Sequence, residues 1–249
     1  MPLFHVAGVN PGLLTLLHGA KGAILREIDM GRLLDLLVRE RVAYAFLAPV
    51  LINMLLSTPG IETADLTALE KFFYGASPIS EDVLLRAKAR LNCSFTQLYG
   101  LTETVGGGTY LRPEAHDPAL GKLRSCGVPW PGFDVRIAGE GGREAGVGEV
   151  GEIQLRSPMV MKGYWNRPEA TAEAIDAEGW FKTGDAGFKD ADGYVFIHDR
   201  VKDMIVTGGE NVYPAEVENA IFGHPAVADV AVIGVPDEKW GEAVKAIVV

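Results

Sequence analysis

Ser94-Phe95-Thr96-Gln97-Leu98-Tyr99-Gly100-Leu101-Thr102-Glu103 carries both a strand and the turn beyond its end. Ser94–Tyr99 reads as a short buried strand, because apolar and β-prone residues fill it and a glycine closes it. Open parallel sheets bind their ligands beyond the carboxyl ends of strands, so a ring, a hydroxyl and a carboxylate converging there form a candidate site. Glu103 offers an oxygen to Mg²⁺ and Thr102 a hydroxyl to a phosphate oxygen, while Gly100 lets the backbone approach closely. A plain strand-to-helix turn with Thr102 as a cap accounts for the same five residues.

Working towards the N-terminus, helix-period stretches alternate with short apolar strands, the order of a parallel α/β sheet. Met30–Arg41 sets Leu33, Leu34, Leu36, Leu37 and Val38 on one broad face against Arg32, Asp35, Arg39 and Glu40, and reads as a helix. Tyr44–Leu47 and Leu69–Tyr74 read as strands. The second of these ends in Gly75-Ala76-Ser77-Pro78, a flat backbone suited to an adenine edge, or equally a tight turn into a helix at Ser80.

Towards the C-terminus the pattern changes. Short runs such as Asp134–Ala138, Gly151–Arg156 and Tyr194–His198, separated by Gly, Pro and Asp-Gly turns, point to antiparallel β structure. Two acidic segments punctuate it. Lys182-Thr183-Gly184-Asp185 ends in a carboxylate suited to ribose hydroxyls, and Asp199-Arg200-Val201-Lys202-Asp203 supplies a cation for the same ribose or a phosphate; ordinary surface ion pairing explains both as well. Gly208-Gly209 then precedes a helix opening at Pro214 and ending near Gly223, and two apolar strands, Val230–Val235 and Ala243–Val249, come after it. A type I′ hairpin turn is one use for paired glycines. Three segments are therefore expected: 1–108, 109–200 and 201–249.

The formal net charge of −10 excludes a non-specific nucleic-acid binder, which needs a basic surplus, so an anionic ligand must be held by local groups. The only cysteines, Cys93 and Cys126, have neither CxxC spacing nor a histidine cluster nearby; no disulfide framework or zinc site is indicated, and a reducing cytoplasmic setting fits. The apolar run Leu13–Leu17 is too short to span a bilayer and has no cationic leader, and no basic amphipathic helix is visible.

In order and spacing these motifs resemble the AMP-forming acyl-CoA synthetases of the adenylate-forming superfamily, with the greatest likeness to fatty-acyl-CoA ligases. The resemblance covers the chain from Pro2-Leu3-Phe4-His5-Val6-Ala7-Gly8 through Tyr164-Trp165-Asn166-Arg167-Pro168-Glu169-Ala170-Thr171 and Gly208-Gly209-Glu210-Asn211 to Val232–Glu242. It implies activation of a carboxylic acid by ATP to acyl-AMP, release of pyrophosphate, and transfer of the acyl group to coenzyme A. By residue-for-residue carry-over, Tyr99 stacks on adenine, Gly75, Ala76 and Ser77 line it with Gly100, Thr102 meets the α-phosphate and Glu103 helps to hold Mg²⁺. Asp185 and Arg200 grip the ribose, Lys202 is the hinge of a small C-terminal domain, Gly208 and Gly209 line the pantetheine path, and His5 borders the acyl pocket.

The expected fold is α/β: part of a doubly wound sheet domain, an antiparallel β-barrel-like subdomain and the start of a small α+β domain. The family's phosphate-binding loop lies upstream of Met1 and its late catalytic Lys downstream of Val249. Both ends are accordingly expected to be internal to a longer polypeptide, and this stretch alone to be inactive or weakly active. Gly106, Gly107 and Gly108 leave room for an acyl chain and the run Val50–Leu56 suits an alkyl channel, favouring a fatty acid. An aryl-CoA ligase, another adenylate-forming enzyme, or a non-catalytic nucleotide- or CoA-binding module remain as alternatives. Peripheral membrane contact and oligomeric state stay open.

Overall fold

A computed structural model describes residues 3–222, 224, 226–227 and 229–249. Pro2 of the first motif and Gly223, the expected end of the last helix, lie outside the described residues. The chain divides into two compact units, Met1–Phe133 with Ser157–Lys162, and Asp134–Arg156 with Gly163–Val249.

The first unit is α/β. Helix α1 spans Val6–Leu17, α2 Met30–Arg39, α3 Pro49–Leu56 and α4 Glu81–Leu91, interleaved with strands β1 (Tyr44–Leu47), β2 (Lys71–Gly75) and β3 (Ser94–Gly100). β1, β2 and β3 run parallel, as the alternating pattern requires. α2 forms where its leucines recur at helical spacing, and Asp29 caps it by accepting from the Arg32 N–H at 2.9 Å. α4 starts on Ser80, whose hydroxyl caps the Val83 N–H, and stops at Asn92 in the left-handed region. The core joins Leu34 and Leu37 of α2, Ile52 and Leu55 of α3 and Leu84, Ala87 and Leu91 of α4 to Phe72, Tyr74 and Phe95 of the sheet. The Val50–Leu56 run is thus α3. Its buried Ile52 and Leu55 belong to this core rather than to an alkyl channel.

Two further strands, β4 (Gly108–Leu111) and β5 (Val128–Pro129), extend the same sheet antiparallel, in the order β1-β2-β3-β4-β5.

In the second unit β6 (Asp134–Ala138), β7 (Gly151–Arg156), β8 (Phe181–Lys189) and β9 (Val195–Arg200) form one antiparallel sheet in sequence order, and α5 spans Pro168–Ala174. These strands do not form the expected barrel-like subdomain. Among the described residues β6 and β9 are the edges of an open sheet, and four strands are too few to close around an interior. Trp180, at the foot of β8, is 8% exposed, and two guanidinium groups lie over its ring, Arg136 at 4.3 Å and Arg156 at 4.5 Å from the centroid.

A second sheet, ordered β11-β10-β13-β12, is built from β10 (Ile205–Thr207), β11 (Glu210–Val212), β12 (Val230–Asp237) and β13 (Gly241–Val248), with helix α6 at Pro214–Phe222. Gly208 and Gly209, at φ 59° and 88°, form the two-residue turn between β10 and β11 that paired glycines suggest. No helix of the described residues is long and apolar enough to cross a membrane.

Candidate functional site

In the first unit the strand ends carry the expected residues. β2 finishes at buried Gly75, where a Cβ would collide with the Leu98 carbonyl oxygen, so only glycine permits this approach of β2 to β3. Exposed Ala76 comes next, in the left-handed region at φ 71°, then exposed Ser77. Behind them the Tyr74 hydroxyl, fully buried, lies 3.0 Å from His116 Nε2, and His116 Nδ1 lies 2.8 Å from the Arg112 carbonyl. Since a carbonyl only accepts, Nδ1 carries the proton, and Tyr74 donates to Nε2. Burial pushes the His116 pKa down and that of Tyr74 up, so both stay neutral.

β3 delivers half-buried Tyr99 and Gly100 to a short 3-10 turn, Thr102–Thr104, in which Thr102 is exposed and Glu103 half-buried. The turn is built around Thr104, which the motif reading passed over. Its fully buried hydroxyl accepts from Leu101 N–H at 3.0 Å and lies 3.1 Å and 2.5 Å from the Leu101 and Gly107 carbonyls. The Glu103 carbonyl accepts from Met161 N–H at 2.7 Å, within the same unit.

The glycines after the turn are packed. A Cβ on Gly100 would meet the Gly106 backbone at 2.5 Å, and one on Gly107 would meet the Phe133 ring at 2.7 Å. Room for an acyl chain therefore does not follow from the glycines themselves, and Phe133 fills the space beside Gly107. Gly106, at φ 78°, faces Val6 and Asn10 of α1, and His5 caps α1 through Nδ1, which accepts from Ala7 N–H at 3.1 Å.

The second unit holds the Asp185–Arg200 ion pair. Asp185 is 7% exposed on β8; the Arg200 Nε donates to its Oδ1 at 3.0 Å while Arg200 Nη1 donates to the Thr183 carbonyl at 3.2 Å. Gly184, at φ 72°, makes the kink that aims Asp185, and the Glu152 carboxylate holds its N–H at 3.1 Å. Next to Arg200, Asp199 accepts from Ala215 N–H of α6 at 2.8 Å, and His198 stacks on Tyr213 at 4.8 Å. Exposed Lys202 lies in a 3-10 turn, Val201–Asp203. At the Gly-Gly turn a Cβ on Gly208 would sit 2.8 Å from the Trp240 ring, so Trp240 demands a glycine beneath it.

No group of three or more His, Cys, Asp or Glu side chains able to hold a metal occurs among the described residues. Mg²⁺ accepts as little as one carboxylate when phosphate oxygens and water complete its shell, and the single Glu103 carboxylate beyond the end of β3 is compatible with that donor set.

Residues 1–165 match the family described as AMP-binding enzyme, and residues 216–249 its C-terminal domain. The chain is 43% identical over its whole length to a fatty acid–[acyl-carrier-protein] ligase of Streptomyces coeruleorubidus, covering 48% of it. Among solved structures, all of the chain superposes on 50% of the amide bond synthetase of Marinactinospora thermotolerans, with 36% identity and a TM-score of 0.93. It also superposes on 49% of the o-succinylbenzoate CoA synthetase of Bacillus subtilis in complex with its acyl-adenylate intermediate, at 31% identity and a TM-score of 0.89. The chain thus spans about half the length of the proteins it matches. With the family matched over residues 1–165 and its motifs standing at the strand ends where an α/β sheet binds ligands, this chain belongs to the AMP-binding enzyme family.

Proposed function

We propose that this chain forms part of an ATP-dependent acid–thiol ligase that converts a carboxylic acid to acyl-AMP with release of pyrophosphate, then transfers the acyl group to coenzyme A. The observation that carries the reading is the built turn after β3, where buried Thr104 fixes the backbone that presents exposed Thr102 beside Glu103. In it Tyr99 and Gly75–Ser77 with Gly100 take the adenine, Thr102 the α-phosphate, and Glu103 holds Mg²⁺, which supplies charge neutralisation at the phosphates. Asp185, oriented by Arg200, takes the ribose. Lys202 is the hinge for the second half-reaction, Gly208 and Gly209 line the thiol path, and His5, Gly106 and Gly107 border the acid. A fatty acid is the proposed substrate. An aromatic acid is the second reading, favoured by the Phe133 ring against Gly107 and by the o-succinylbenzoate ligase among the similar structures.

ATP/pyrophosphate exchange tests it, measured on this chain and on the polypeptide extended to the length of its relatives, with fatty and aromatic acids in the panel. Exchange by the extended protein, strongest with a fatty acid and reduced about 100-fold by Glu103→Gln, is the expected result. A folded extended protein that binds Mg-ATP but exchanges with no acid would make the chain a nucleotide-binding module instead.

A further inference from the structure

Val105 stands in the left-handed region at φ 55°, followed by Gly106 at φ 78°. A β-branched residue there costs about 1–2 kcal/mol, a strain that persists only where neighbours over-determine the backbone. Local bonds account for part of the restraint. Val105 N–H donates to the Thr102 carbonyl at 3.1 Å, Gly106 N–H to Leu101 at 2.8 Å and Gly107 N–H to Thr104 at 3.0 Å. All of these lie within the loop, so none fixes it against another element.

That tie comes from far away in sequence. The Asn10 side-chain amide, on α1, donates to the Val105 carbonyl at 2.8 Å. The same Nδ2 lies 3.6 Å, and a Val6 methyl 3.3 Å, from where a Gly106 Cβ would be. One residue further on, the Phe133 ring abuts Gly107.

We propose that Asn10 is a positioning residue: its amide clamps the Val105 carbonyl, holds the Val105–Gly106 pair left-handed, and so sets the backbone of Gly106 and Gly107 against which the acid lies. The proposal rests on the acid-activating reading of this unit. Its consequence falls mainly on the acid, because the clamp acts directly on Val105–Gly107, whereas of the nucleotide-facing residues only Thr102 is bonded to that loop, through its backbone carbonyl, and none on β2 is. A residue needed only for folding would affect AMP and acyl-AMP alike.

The test uses Asn10→Ala, Asn10→Asp, which keeps the shape but loses the donor, and Val105→Gly alone and combined with Asn10→Ala. Affinities for AMP and for a non-hydrolysable dodecanoyl-AMP mimic are measured by calorimetry, alongside amide hydrogen exchange by NMR. Either Asn10 variant is expected to weaken the mimic roughly five- to tenfold, the worth of one hydrogen bond, with AMP binding unchanged. Val105→Gly in the Asn10→Ala background restores most of the loss, since glycine adopts positive φ without a clamp. Gly106 and Gly107 amides exchange faster in Asn10→Ala while those of Phe72 and Phe95 do not. Equal loss of both ligands, no loss, or no rescue by Val105→Gly overturns the proposal. Should the unaltered chain bind neither ligand, the adenylate reading falls, and the Gly106 and Gly107 exchange rates alone decide the clamp: unchanged rates in Asn10→Ala overturn it.

Discussion

Tyr74 and His116 show how a single buried hydrogen bond underlies the candidate adenine edge. Tyr74→Phe leaves His116 Nε2 without its donor in a site where both residues are at most 1% exposed, and a loss of about 1–3 kcal/mol in urea denaturation is expected. His116 also sets an acid limit. Its folded pKa is held below 6.5 by burial, so its contribution to stability is complete above that value and is lost as pH falls below it; protons bind the unfolded chain first. The denaturation midpoint should fall on going from pH 7 to pH 5.5, and His116→Gln, where it folds, should flatten that slope. Cys93 offers a probe of the same unit: burial pushes its thiol up to about 11, and Cys126 is 2% exposed. Cys126 should react with Ellman's reagent at pH 8 only when this unit opens, whereas half-buried Cys93 should react in the folded chain, more slowly than a free thiol. Of these residues, only the tyrosine's place on a strand was legible in the sequence; its partner lies 42 residues away, and periodicity says nothing about such pairs.

At the scale of elements, the parts read well from sequence are those specified locally. α2 follows from its leucine spacing and Asp29 cap, and the β10–β11 hairpin from two adjacent glycines. What escaped is long-range. β4 and β5 join the parallel sheet through pairings such as Thr109 with Pro129, and Trp240 explains Gly208 from 32 positions downstream, 240 against 208. The open sheet of the second unit contains a similar case, in which Arg136, Trp180 and Arg156 come from β6, the β8 approach and β7. Replacing Arg136 by Met removes one stacked cation together with its bonds to Gln154 and Asp176, and should cost about 1–3 kcal/mol by urea denaturation. Gly107→Ala drives a methyl into Phe133 and should cost a similar amount, about 1–3 kcal/mol, with Phe133→Leu relieving most of it.

The whole molecule is acidic, and its anion-binding capacity must therefore be local. At physiological salt the chain should not be retained on heparin or shift duplex DNA, whereas a backbone-built nucleotide site is indifferent to net charge. The candidate site was legible to the extent that its motifs sit at strand ends; the residues that hold those motifs, Thr104, Asn10 and Phe133, carry no signature of their own. Connectivity, finally, limits how such a protein can be inherited in pieces. The backbone leaves the first unit after Phe133, returns to it for Ser157–Lys162 and leaves again, and Met161 on that return supports the Glu103 carbonyl. A recombination breakpoint between 134 and 156 would pair Glu103 with a foreign donor segment, so exchange of modules between relatives favours crossovers that keep Glu103 and Met161 with one parent, such as one after Lys162.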